Sequence, residues 1–495
     1  MKTMYFKLTV LSPVHVGCGL GLSRNLDFFT EKNTTFLLDI DSAIHAFPDL
    51  WLKQDTLDAR RLKDLLVKAG GAKFVRMVTP PIMADEIRLQ MRDGRGAVLI
   101  PGSTIKGALR TAFLSYLAFQ DIGSKKKLVS ETIQEGDVNR PGEMAKLFEA
   151  RFLCGRPERG GSPGPREDLF RAVLVGDCAI SQDFLEIFEV RVRSPLKNEP
   201  RREKEFVLAC EGVRSGATGY MRIGVDDFLL EKKSRSRTGL PDCEIGFARL
   251  AQATREHMLR IIDEERRYFE WVGLQEAVNF LDLVKKEIGA ASGNTMYLRL
   301  GWGIGWCGTT GAILDPDERL NLLYRFEREQ KTLGKRDAKI YDNHTIIFPK
   351  SRRYIASNKH PPLFGFVRLE EAKEEEVFMT KFQPCTFPQA EIKEVPREEE
   401  KKPSLEVETV ARAPEVKKPS YVEVLISSLK PREIKPRFQG LLLEIQSLKD
   451  PDERMRGLRA LKEMVLKYVP KTDEAFYSRP DVVKLLEEVK DNSDT

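Results

Sequence analysis

The chain has 495 residues, 41% apolar and 32% charged, with 81 basic against 75 acidic side chains and a net charge of +6. That length suits two or three domains with real cores. No run nears the roughly 20 apolar residues of a membrane helix, and the seven cysteines include no C-x-x-C pair; this excludes a membrane protein, a zinc finger and a disulfide framework, and fits a reducing cytoplasm.

The opening MKTMYFKLTVLSPVHVG has the lysine-then-apolar look of a secretory leader. Lys7 and the alternation of Met4, Phe6, Leu8 and Val10 predict instead a strand over 3–12. FLLDID (36–41) predicts another strand. Leu62, Leu65, Leu66 and Val67 fall at helical spacing and predict a helix over 57–69. AVLI (97–100) reads as a short buried strand, and Ser103 as the cap of a helix running to about Phe119. GRPERGGSPGPRED (155–168) has too little apolar content to pack and reads as a surface loop. Strand-like segments follow near 170–180, 185–193, 204–211 and 219–226. Helices at about 245–268 and 273–288, a strand at 296–300 and a helix at about 316–331 come next. Residues 384–419, charged and proline-spaced, read as a linker; 420–490, helically periodic throughout, read as a small all-α domain. Residues 391–495 carry 21 basic and 22 acidic side chains, so the positive excess belongs to the body.

Three segments concentrate backbone freedom and positive charge. In LSPVHVGCGLG (11–21), Gly17, Gly19 and Gly21 follow a strand and suit either amides exposed to a phosphate or a tight turn. His15 lies among apolar neighbours, a setting more often structural than catalytic. In LIPGSTIKGALRTAFL (99–114), a helix N-terminus with Ser103 and Thr104 suits a phosphate. Lys106 and Arg110 share a face there, unless they are simply solvated charges on a capped amphipathic helix. In YLRLGWGIGWCGTTGAIL (297–314), five glycines in eleven residues interleave with Trp302 and Trp306. Such a loop suits phosphate contacts from amides and base stacking on indoles, or else close packing around core tryptophans. It lacks the following acidic residue of a dinucleotide fingerprint and the G-K-[ST] of a Walker loop. No metal-ligand cluster, nucleophile elbow or histidine pair is legible, so neither a catalytic set, a metal nor a cofactor is expected.

In this order the three segments resemble the RAMP superfamily: SPVHVG at the first strand, IPGSTIKGALR in the middle and GWGIGWCGTTG late. NLDFF (25–29), DLFRAVLVGDCAI (168–180), FPKSRRYI (348–355) and PPLFGFVRL (361–369) are similar to the subunit class that caps the guide RNA 3′ end in type III-A (Csm) CRISPR effector complexes. The resemblance covers about residues 1–370. It implies an α+β fold of two ferredoxin-like (RRM-like) halves, 1–240 and 241–383, ahead of the linker and helical domain. It also implies a non-catalytic, cytoplasmic subunit that binds guide (cr)RNA, and target RNA near the guide 3′ end. The implied protein neighbours are a backbone RAMP subunit and a small helical subunit. Carried onto this chain, the implied RNA contacts are His15, Gly17, Gly19, Ser103, Lys106, Arg110, Arg299, Trp302, Gly303, Gly305, Trp306, Lys350, Arg352 and Arg353. Two enzymatic alternatives are a guide-processing endonuclease using His15 and a target-cleaving backbone subunit using Asp27.

Overall fold

The computed structural model describes residues 1–48, 58–78, 81–94, 96–135, 145–155, 164–196, 198–329, 340–342, 345–357, 359–379, 434–446, 448, 450–470 and 473–488. The protein is a mixed α/β chain with two compact units, Met1–Glu394 and Val395–Thr495.

Within the first unit, the alternation of the opening residues is a strand, Lys2–Val10, with Phe6, Leu8 and Val10 buried. It is the centre of an antiparallel five-stranded sheet, between Thr218–Val225 and Phe366–Ala372; Met296–Arg299 and Val173–Val175 form the edges. Strands from both sides of residue 240 therefore share one sheet. The helix Gly102–Gln120 lays Ile105, Leu109 and Phe113 into the core beneath it. The long helix Phe247–Trp271 and its neighbour Gln275–Ala290 build a second core with Tyr297 and Phe366.

A second five-stranded sheet runs in the order Arg352–Ile355, Leu185–Arg193, Leu208–Val213, Glu86–Gln90, Gly17–Ser23. Its last strand is an irregular one: the register against Glu86–Gln90 shifts between Gly17 and Gly21, and Gly19 sits there at φ +87°. The segment expected as a glycine turn is thus largely a bulged edge strand, and the strand expected from 204 begins at Leu208. The basic helix starts at Gly102 rather than beyond Ser103, because Pro101 takes the cap position without a side-chain bond. The helix Ile122–Glu135 has no pattern strong enough to be legible in the sequence.

The second unit shows helices Ile434–Gln446, Pro451–Tyr468, Glu474–Tyr477 and Pro480–Glu488 around Phe438, Ile445, Leu461, Val465 and Val482. The expected linker 384–419, the core of the expected loop (156–163) and residues 420–433 of the expected all-α domain lie outside the described residues.

Candidate nucleic-acid interface

The strand Met296–Arg299 runs straight into the glycine-rich loop, and the loop's path depends on glycine. Gly301 turns at φ +77°, where a Cβ would strike the carbonyl oxygen of His15. The Trp302 amide donates to that same oxygen at 2.8 Å. Gly303, at φ +92°, has the Phe364 side chain 3.0 Å from where its Cβ would be. A β-branched or bulky residue at either position would meet both backbone strain and a collision.

This turn presents the Trp302 indole to two strands of the second sheet. The Arg88 guanidinium lies 5.0 Å from the ring centroid and that of Arg353 lies 4.8 Å from it, while His15 and Phe364 meet the ring edge-on at 5.8 and 5.9 Å. Arg88 is exposed and Arg353 half-buried. Neither forms an ion pair among the described residues, and Arg353 Nε has no hydrogen-bond partner there. Burial, and then the charge of Arg88, draws the Arg353 guanidinium below its ordinary pKa. Two unneutralised cations flanking an aromatic ring can bridge a phosphate and stack a base. Arg88 escapes sequence reasoning; its one signal is position, since Ile87 is buried and alternation sends Arg88 to the other face.

Arg299, Lys350 and Arg352, expected among the RNA contacts, are buried instead. Glu265 accepts from Arg299 Nη1 at 3.2 Å and from Arg352 Nε at 2.6 Å. Beside it, Glu264 takes a bidentate pair from Arg319, both bonds 2.6 Å, and Arg319 also donates to Cys307 Sγ at 2.6 Å. Burial alone would raise the Glu265 pKa; Arg352 and Arg299 hold it below the usual range. Burial pushes the Cys307 thiol up to about 12, so it serves as a neutral acceptor. The network ties the long helix to the strand Met296–Arg299, the glycine loop, the helix Pro316–Arg328 and the strand Arg352–Ile355. It holds the loop rather than a ligand. Trp306 packs inward with Phe348, at 5.7 Å, and against Leu322 and Phe326, whereas Gly305 is exposed.

The basic helix is more occupied than its sequence suggests. The Gly102 amide donates to Asp177 Oδ1 at 2.7 Å, so a carboxylate already sits at the helix start expected to take a phosphate. Arg110 pairs with Asp168 at 2.6 Å and Glu149 at 3.2 Å. Lys106, half-buried, makes no ion pair among the described residues, and Ser103 is exposed in the first turn. Burial draws the Lys106 ammonium below its ordinary pKa.

His15 is 1% exposed; its Nδ1 lies 2.5 Å from the Glu211 carbonyl, and burial lowers its pKa. Gly17 and Gly19 are exposed on the bulged edge strand. Asp27 accepts from the Ser23 amide at 2.7 Å, closing a turn. Among the described residues no three His, Cys, Asp or Glu side chains are grouped to hold a metal, and no helix is long and apolar enough to cross a membrane.

Residues 7–307 match the RAMP superfamily. The "CRISPR system Cms protein Csm5" of Methanocaldococcus jannaschii is 29% identical over a 128-residue alignment that covers 23% of this chain and 30% of that protein. A chain of a Csm–crRNA–target RNA ternary complex of a type III-A CRISPR–Cas system shares the fold. Its TM-score is 0.51 at 22% identity, over 74% of this chain and 100% of that one. The crystal structure of T. onnurineus Csm5 gives a TM-score of 0.45 at 20% identity, over 73% of this chain and 99% of that one.

Proposed function

The chain belongs to the RAMP superfamily, and from that premise we propose that it is a non-catalytic RNA-binding subunit of a type III-A (Csm) CRISPR effector complex, capping the backbone filament at the guide RNA 3′ end. The observation that carries the RNA reading is the Arg88–Trp302–Arg353 cluster, whose two cations meet no neutralising carboxylate among the described residues. The likeness to a Csm5 supports the position within the complex. The fold reading is two ferredoxin-like halves, 1–240 and 241–383, joined through the shared first sheet, with an all-α domain over 420–490 after the linker. The non-catalytic reading is supported by His15, buried against a carbonyl, and by Asp27, spent on a turn. The helical domain, near neutral in charge, docks a protein neighbour, and deleting 390–495 leaves guide binding intact while lowering the yield of assembled complex.

The test is co-purification of the tagged chain. Wild type brings down a short guide RNA with backbone subunits. The double variant Arg88→Ala/Arg353→Ala loses the RNA first, and its residual binding falls less steeply with salt, by about 0.7 in log–log slope for each phosphate it no longer holds. Unchanged RNA recovery and an unchanged slope in a folded double variant would remove the cluster from the interface.

A further inference from the structure

One cavity of the first unit plays no part in the interface described above. It holds about 190 Å³, between the helix Gly102–Gln120, the long helix and the glycine loop. That is several times the share of one water, about 30 Å³, yet smaller than the roughly 300–1,000 Å³ of sites for drug-sized ligands. A single flat ring is the right scale. His257 lines it, 5% exposed, and forms no hydrogen bond among the described residues; its Nδ1 is buried without a partner. Burial, and then Arg260, pushes its pKa down to about 3, so the imidazole is neutral and offers one donor and one acceptor nitrogen. A buried polar atom without a partner costs stability unless something meets it.

Two of the threonines that line the cavity have their hydroxyl protons already committed. Thr111 Oγ1 donates to the Gly107 carbonyl at 3.0 Å and Thr309 Oγ1 to the Trp306 carbonyl at 2.9 Å, which leaves both oxygens free to accept. Gly107 opens the helix face: a Cβ there would meet nothing within 4 Å. Gly301, also in the lining, immediately precedes Trp302, so the cavity and the stacking cluster belong to one loop.

We propose that this cavity receives a single nucleobase turned out of the bound RNA strand, its polar edge meeting His257 and the threonine hydroxyls. The inference rests on the RNA-binding reading and adds to it a pocket for one base. Everted bases held this way are read by edge contacts and packed between side chains.

The experiment uses the full chain and synthetic guide RNAs that each carry one abasic nucleotide, walked along the 3′ region. Wild type loses about tenfold in affinity at one position, the worth of one buried base. Gly107→Leu fills the cavity at a position that accepts a side chain and a better helix former. It binds the intact guide about tenfold more weakly, and the abasic guide no worse than that. His257→Phe gives the same pattern. A wild type indifferent to every abasic position, or a Gly107→Leu chain that binds the intact guide like wild type, overturns the pocket while leaving the RNA interface standing. A wild type that binds no guide at all overturns both.

Discussion

Arg352 and Arg353 are neighbours on one strand with opposite fates. Arg352 points inward to Glu265, joined there by Arg299, while Arg353 points outward to Trp302, facing Arg88. The strand's period of two sends adjacent side chains to opposite faces, and what each face offers decides the role. Inside, a carboxylate answers the charge and the arginine becomes a tie between elements. Outside, no carboxylate among the described residues answers it, and the charge is left for a partner. Arginine content therefore says little about an RNA surface until the acidic partners are placed.

The sharpest way to break this contrast is Glu265→Ala. It strands two buried guanidiniums and is expected to destabilise the first unit by about 3–5 kcal/mol, read by thermal unfolding. A small change in melting temperature would mean that water reaches the cluster and that the inside–outside distinction is false. The neighbour pair sharpens it next. Arg352→Ala should lower stability by roughly 3 kcal/mol, while Arg353→Ala leaves the melt within about 0.5 kcal/mol and weakens guide binding. Equal effects on both readouts would erase the division.

A third measurement tests how dry the adjoining interior is. His257 is held below its unfolded value of about 6.5, down to about 3. The unfolded chain therefore takes up a proton that the folded chain refuses. Stability is full above pH 6.5 and declines as the pH falls toward 3, by about 1.4 kcal/mol per unit, or about 2 kcal/mol by pH 5. His15, lowered for the same reason, adds in the same direction. His257→Phe should flatten part of the slope in melts at pH 7.5, 6.5 and 5; an unchanged slope would place His257 in contact with solvent. The smallest effect concerns the basic helix. Arg110, paired with Asp168 and Glu149, should on replacement by Ala cost about 1 kcal/mol of stability with no change in the salt slope of RNA binding, whereas Lys106→Ala should lower that slope by about 0.7.

Much of the architecture was legible because it depends on local pattern. The alternation of Phe6, Leu8 and Val10, the helical spacing from Leu62, and the glycines around Trp302 each point to their structure within a few residues. The rest depends on distant partners. Glu265 and Arg352 are 87 residues apart, and Asp177 reaches the helix start at Gly102 across 75. No pattern within either segment announces such a meeting. Gly17–Ser23 was hidden for another reason: glycine is a poor strand former, and only pairing with Glu86–Gln90 makes the segment a strand. Arg299 reads as exposed beside Leu298 and Leu300, yet every residue of Met296–Arg299 is buried, because the strand is covered on both faces.

The central strand of the first sheet also sets a timetable for synthesis. Thr9 pairs with Thr218 on one side and with Arg368 on the other. At a translation rate of roughly 5–20 residues per second, the second neighbour follows the first strand from the ribosome by about 20–70 seconds. Through that interval one hydrogen-bonding edge of Lys2–Val10 stays open, in a segment whose Phe6, Leu8 and Val10 have no completed core to enter. For that interval the nascent chain carries an unpaired strand edge, and the first sheet closes only when residues 366–372 arrive.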